Sequence, residues 1–205
     1  WLIFSADAIA DNGSLHSIIE DSKDFAGDLA EQLRERIYET VIPGLATGIV
    51  AQLKYENPTS KQLEEIYQMA MILLFRILFI AYGEDKGLLP YRFNVVYKEN
   101  SLKTIANELL ELVESKHQFD SQNIWWDKVK AIVIAIENGK STWGIPSYKG
   151  GLFASNQNES EFGKTLEKVC IPDYFFGPVL QSLLLVKTPD GVLGPVDFRS
   201  LGVRE

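Results

Sequence analysis

The sequence predicts a mainly α fold: an irregular multi-helix domain around a buried central helix, with little β structure. Three observations lead there. Residues 69–82 form a long apolar run whose one charge is Arg76. Stretches on both sides repeat apolar residues at helical spacing. Helix-breaking residues separate those stretches, and no internal repeat or low-complexity segment interrupts them.

Taken in order, Trp1-Leu2-Ile3-Phe4 reads as a strand or tail, and Asp11-Asn12-Gly13-Ser14 as a turn. Residues 1–23 are read as a tail or linker from a preceding domain. A helical domain follows over 24–205, cut off at the start of a following domain. From Asp24 to Lys54, Phe25, Leu29, Leu33, Ile37, Val41, Leu45, Ile49 and Leu53 recur at every fourth position. At about 3.6 residues per turn such a row drifts about 40° per step, so one straight helix cannot keep it on one side. Pro43-Gly44 predicts a kink or a division into two helices there.

The central helix starts at Thr59-Ser60-Lys61-Gln62, where a Thr hydroxyl and a Gln three residues on form a capping box. Gly83 is the expected left-handed cap at its end. A helix apolar all round has to be surrounded. A membrane span would need roughly 20 uncharged residues, and this run is shorter and contains Arg76, so the buried helix is the expectation. Arg76 should then have a carboxylate partner, with Glu84, Asp85 and Asp173 as candidates, and a structural role.

Gly87-Leu88-Leu89-Pro90 is a loop exposing Lys86 and Arg92. Residues 101–116 form the next helix, with Leu102, Ile105, Ala106, Leu109, Leu112 and Val113 on one face. Another starts at Asp120 or Ser121 and stops at Gly139, its apolar face being Trp125, Val129, Ile132, Val133 and Ile136. Residues 144–153 are all turn and no period. A short helix over 161–169 follows, then one over about 178–186 with Pro178 in its first turn. Thr188-Pro189-Asp190-Gly191 is a tight turn, and a short β element lies near Val192–Phe198.

The 205 residues fit one large domain, and 46% hydrophobic residues suffice for a real core. Twenty Lys and Arg against 28 Asp and Glu leave a net charge of −8, which disfavours strong duplex binding but permits a local basic patch. One cysteine, Cys170, allows no internal disulfide; it reads as a small buried residue and the location as cytoplasmic. The chain begins at Trp1 and ends where Ser200–Glu205 reads as a helix beginning, so a fragment of a longer polypeptide is expected.

Signals for chemistry are few. His16 and His117 are far apart, with no Cys or His at metal-ligand spacing. Neither a phosphate-binding glycine loop nor a nucleophile elbow occurs. Glu84-Asp85-Lys86 and Glu114-Ser115-Lys116 match the Glu-x-Lys string of metal-dependent nucleases, but both fall at predicted helix ends, where such residues are common. Asn57-Pro58-Thr59 reads as a helix boundary. The window 144–153 is richer than a plain connection requires. Gly150 and Gly151 let backbone approach another surface, and Tyr148 and Lys149 offer a stacking ring and a phosphate partner. The alternative is a packed Ω-like loop anchored by Tyr148 and Phe153.

Four segments, taken in order, resemble a known family. They are Leu74 to Pro90 (LFRILFIAYGEDKGLLP), Tyr97 with Ser101-Leu102, Gly144 to Phe153, and Val196 to Leu201 (VDFRSL). Together they resemble the helical region preceding the methyltransferase domain in type IIG restriction–modification enzymes and related N6-adenine DNA methyltransferases of phage defence. The resemblance covers roughly residues 60–205. It implies a non-catalytic connector that fixes the geometry between a nuclease and a methyltransferase in cis and contacts DNA backbone. Within the fragment it implies no catalytic, cofactor-binding or metal-binding residue. S-adenosylmethionine, and a divalent metal where a nuclease is present, belong to the parent, as does DNA. Candidate DNA-facing residues are Lys86, Arg92, Lys140, Tyr148 and Lys149, with solvated surface charge as the competing reading of each cation. The alternative function is an all-α protein–protein interaction module with no nucleic-acid role. A stand-alone acid/base enzyme has no paired-carboxylate signal. No membrane partner is expected.

Overall fold

The computed structural model describes residues 27, 29–148, 150–155, 161–188 and 191–199. The expected tail with its Trp1–Phe4 run and Asp11–Ser14 turn, Lys149, Pro189-Asp190 and the expected helix start at Ser200 lie outside the described residues.

The described residues are mainly helical, and the four-residue row is accommodated by a change of helix type. Residues 29–36 are α-helical, Ile37–Val41 is a π turn, and α1 spans Ile42–Leu53 with Pro43 in its first turn. Proline has no N–H to return to the preceding turn, and the Ile42 N–H bonds instead to the Ile37 carbonyl. The wider π turn takes more residues per revolution than an α turn, so it rotates the drifting row back. Leu29, Leu33, Val41, Leu45 and Ile49 are accordingly all buried. The irregularity predicted at Pro43-Gly44 thus sits one turn earlier, in Ile37–Val41.

The central helix, α2, spans Ser60–Asp85, and Thr59 and Gln62 form the predicted capping box. Its end differs from expectation. Gly83 is helical, and the left-handed residue is Gly87, at φ 72°. Leu88 N–H donates to the Gly83 carbonyl (2.8 Å) and Gly87 N–H to that of Glu84 (3.3 Å). These bonds close a Schellman motif one turn beyond the predicted cap. Gly83 has a different job: a Cβ there would meet the Leu89 side chain at 3.3 Å.

Downstream come α3 (Val95–Glu99), α4 (Leu102–Glu114), α5 (Ile124–Asn138), a 3₁₀ turn over Ser141–Trp143, α6 (Glu161–Glu167) and α7 (Asp173–Leu184). β1 (Leu185–Lys187) pairs antiparallel with β2 (Leu193–Pro195), Val186 opposite Gly194. α5 begins later than Asp120 or Ser121 because its cap comes from across the fold: Asp173 Oδ2 accepts from Ile124 N–H (3.0 Å) and Oδ1 from Trp125 N–H (3.1 Å). α7 begins earlier than predicted. Pro178 lies inside it, not in its first turn, and Pro172 is the N-cap. On α4 the predicted face holds for Leu102, Ile105, Ala106 and Leu109, whereas Val113 is exposed. Cys170 is half-buried, and burial raises its thiol pKa.

α1 packs on α2 and α7; α7 also touches α4 and α5, while α6 lies against α2. One apolar core joins these faces, and Ile77, Ile80, Leu109, Ile132, Phe176 and Leu180 have essentially no exposure. The central helix is not enclosed on every side, however. Leu63, Tyr67 and Phe75 are 51%, 46% and 49% exposed, and Phe79 is 37% exposed. By length and composition α2 could cross a membrane, yet 56% of its most apolar window is buried in the fold.

Gly177 makes the closest approach in this packing: a Cβ there would lie 2.4 Å from the Phe119 ring. Alanine in place of helical glycine ordinarily stabilises by about 1 kcal/mol. Gly177→Ala is expected to do the reverse, destabilising by about 1–3 kcal/mol through overpacking, with Phe119→Ala relieving part of the loss in the double variant. Urea unfolding of the four proteins checks this; a G177A as stable as the parent would contradict the packing.

Candidate functional site

The polar residues of α2 organise the surface on which the sequence candidates sit. Arg76, Glu84 and Asp85 are at most 5% exposed, and each is satisfied by a different distant segment. Arg76 Nε donates to the Leu152 carbonyl (2.7 Å) and Nη2 to that of Ala154 (3.1 Å). This corrects the expectation of a carboxylate partner. The three candidate carboxylates are engaged elsewhere, and backbone carbonyls take the Nε and Nη2 sides of the guanidinium. Burial lowers the Arg76 pKa, opposed by the more distant charges of Glu137 and Glu167.

Glu84 caps α4 from outside it. Its Oε1 accepts from Leu102 N–H (2.8 Å) and Tyr97 O–H (2.7 Å), and its Oε2 from Lys103 N–H (2.9 Å). Two orphan donors at a helix N-terminus and one phenol thereby converge on a single carboxylate. Burial raises the Glu84 pKa, opposed by these three donors. The Tyr97 hydroxyl is raised by burial and then by the Glu84 charge. Asp85 accepts from Phe198 N–H (2.7 Å) and pairs with Lys103. Asp173, the third candidate partner for Arg76, caps α5; burial raises its pKa, offset by the Trp125 and Ile124 N–H groups.

All four segments that carry the family resemblance therefore meet along the C-terminal half of α2. Arg76 holds the 144–153 loop, Glu84 holds Tyr97 and the start of α4, and Asp85 holds Phe198. Among the described residues no group of three or more His, Cys, Asp or Glu could hold a metal ion.

The candidate DNA-facing residues come from two loops that the fold joins. Tyr148 O–H donates to the Leu88 carbonyl (3.3 Å), and Asn94 Nδ2 to the Thr142 carbonyl (3.1 Å). Lys140 and Ile145 bridge backbone to backbone at the base of the second loop, where Gly139 and Gly144 adopt φ 79° and 71°. Lys86, Arg92 and Lys140 are exposed. Lys86 lies 5.6 Å from the Tyr82 ring and Lys140 3.5 Å from that of Trp143, so aromatic faces carry both ammonium groups. Tyr148 is half-buried with its hydroxyl engaged, which makes it an anchor between the loops, as in the Ω-loop reading. Phe153 is the other anchor, edge-on to Phe79 at 5.2 Å. Nothing among the described residues lies within 4 Å of where a Cβ would be at Gly150 or Gly151, so among those residues neither makes the expected close approach. Lys149 lies outside the described residues.

Sequence reasoning passed over three residues of this face. Asn94 caps α3 and ties the loops together; Phe93 is 80% exposed beside Arg92; Lys98 lies 5.8 Å from the Tyr91 ring. The exposed charges over 86–100 are Lys86, Arg92 and Lys98 against Glu99, a locally positive surface on a chain of net charge −8. Compared with family models, curated proteins and solved structures, the chain finds no match.

Glu84→Gln keeps one acceptor but turns an amide N–H₂ toward the donors, at a cost of about 1–3 kcal/mol. The folded-state pKa of Glu84 is raised, so its contribution to stability is complete below the unfolded value of about 4.3 and declines as pH rises through the folded value. The stability gap between parent and E84Q is thus expected to be widest near that lower limit and to narrow toward neutral pH. Chemical denaturation across that range measures it, and a gap that widens with pH would contradict the assignment.

Proposed function

We propose that this chain is a non-catalytic helical coupling domain of a DNA restriction–modification or adenine-methyltransferase polypeptide. Its role is to hold flanking nuclease and methyltransferase domains at a fixed geometry while the 86–98 and 140–148 loops rest on DNA backbone. S-adenosylmethionine, and a metal where a nuclease is present, act in the parent's other domains. The observation that carries the reading is the union of the two candidate loops through Tyr148–Leu88 and Asn94–Thr142, which puts Lys86, Arg92 and Lys140 on tied segments. Phosphate contacts need cations presented together on a fixed frame, and a local positive surface serves that end despite the overall charge. The convergence of the resembling segments on α2 adds support, because a spacer transmits geometry only where its parts are pinned to one rigid element.

A second reading, an all-α protein–protein interaction module, has its own observation. A groove between residues 30–42 and α2, with Leu33, Ile37, Tyr38, Met71, Phe75 and Leu78 among its lining, is mostly apolar and open. Apolar surface of that kind often marks a protein contact.

A duplex-binding titration at several salt concentrations separates the two. The first reading expects weak binding at low salt that falls steeply as salt rises. Each of Lys86→Ala, Arg92→Ala and Lys140→Ala should flatten the log–log slope by about one, uniformly across DNA sequences. No binding at low salt, or slopes unchanged in the variants, removes the DNA contact and leaves the spacer role alone or the interaction module.

A further inference from the structure

A second site lies away from the loops, in a cleft between α2, α5 and α6. The cleft is open on one side and holds about 40 Å³. One water needs about 10–15 Å³ on that measure, so the space takes a small head group while a ligand's body lies toward the open mouth. Its walls include Val129, Val133, Ile134 and Leu166, and two donors line it as well. The first is the Arg76 guanidinium, which among the described residues has no carboxylate within ion-pair distance and no acceptor at Nη1. The second is Trp126, 4% exposed, whose indole N–H is the one buried side-chain donor among the described residues with no partner.

A buried indole N–H without an acceptor is costly, and the guanidinium beside the same cleft has Glu137 and Glu167 only beyond ion-pair distance, so one acceptor could serve both donors. The other charged groups facing the cleft are Lys130, Glu137 and Glu167. Lys130 Nζ donates to the Glu167 carbonyl (2.7 Å), and Glu137 Oε1 accepts from Ser155 N–H (2.8 Å) and Oγ–H (2.6 Å). The ammonium and the Glu137 carboxylate are thus already engaged and Glu167 is exposed to solvent, whereas the indole N–H and the Nη1 edge of the guanidinium have no acceptor among the described residues. A planar carboxylate matches a guanidinium edge in geometry and in charge. The walls match hydrocarbon.

We propose that this cleft is a binding site for a small apolar carboxylate, aryl or short-chain. Its carboxylate takes the free guanidinium edge of Arg76 and the N–H of Trp126, and its hydrocarbon lies against Val129, Val133 and Leu166. Ile134, 44% exposed, stands at the mouth. The site is independent of the DNA reading and stands or falls without it.

The test is calorimetric titration at neutral pH with benzoate, and with benzamide as its uncharged counterpart. Benzoate is expected to bind and benzamide to bind about tenfold more weakly, the difference that a charge-assisted bond makes. Trp126→Phe keeps the ring and removes the donor, and should weaken benzoate about fivefold. Ile134→Trp closes the mouth from an exposed position and should abolish binding in a protein whose circular dichroism is unchanged. No heat with benzoate up to millimolar concentrations overturns the proposal. So does equal affinity for benzamide, or benzoate binding unchanged in W126F or in folded I134W.

Discussion

A charged side chain on a helix sunk in hydrocarbon has to find polar partners, and here those partners are backbone groups of remote segments. Arg76, Glu84 and Asp85 all lie on α2, within ten residues of one another in a chain of 205. Apolar packing around Ile77 and Ile80 supplies most of the driving force for burial, but it is non-directional. Hydrogen bonds are not. The bonds from Arg76 to Leu152 and Ala154, and from Leu102, Lys103 and Phe198 to the two carboxylates, fix which segment lies against which part of the helix. The core explains why the domain is collapsed, and the polar residues explain why it collapses in one register.

Helix capping is the form most of this fixing takes. α4 has a local cap in Ser101, whose hydroxyl accepts from Thr104 N–H, and a second, distant one in Glu84. α5 has no local side-chain cap at Asn123 and relies on Asp173, the first residue of α7. A cap supplied from another helix does more than satisfy orphan donors. It makes the start of one helix conditional on the placement of another, so secondary and tertiary structure form together. The same logic sets the candidate interface. Asn94 and Tyr148 donate to carbonyls of the opposite loop, so the two basic segments keep a fixed relation although each is regular only in part, at α3 and at the 3₁₀ turn.

The fold class, the central helix and its capping box were legible because they rest on local signals: apolar periodicity and a Thr-x-x-Gln spacing within one turn. What the sequence concealed was long-range. No local pattern announces that Asp173 caps a helix beginning 49 positions earlier, so α5 reads as starting at Asp120 or Ser121. Gly83 has the residue type of a cap and the position of a close contact, and only the placement of Leu89 tells the two apart. A buried Arg with three carboxylates in candidate positions invites an ion pair; carbonyls from the 152–154 segment are invisible to that reasoning, since every residue has one. The candidate loops could be found by composition, but their junction could not, because Asn94 and Thr142 are ordinary residues 48 positions apart.

The outer side of α2 bears on both functional readings at once. A helix with water on one side ordinarily carries a polar stripe there. On α2 the exposed surface instead includes Leu63, Tyr67, Phe75 and Phe79, all more than a third exposed, which a drift of about 40° per four residues spreads around nearly half the helix, with Tyr38 at 67% on the preceding helical stretch. Exposed apolar residues scattered singly need no explanation, whereas Tyr38 and Phe75 lining one apolar groove do. A groove of that kind suits a protein neighbour. The coupling reading supplies that protein as a flanking domain in cis, and the interaction-module reading supplies it as a separate chain. Both give α2 the same mechanical part. It is pinned by Arg76, Glu84 and Asp85, and beside the groove at Phe75 it carries a surface through which its orientation can be passed to a neighbour.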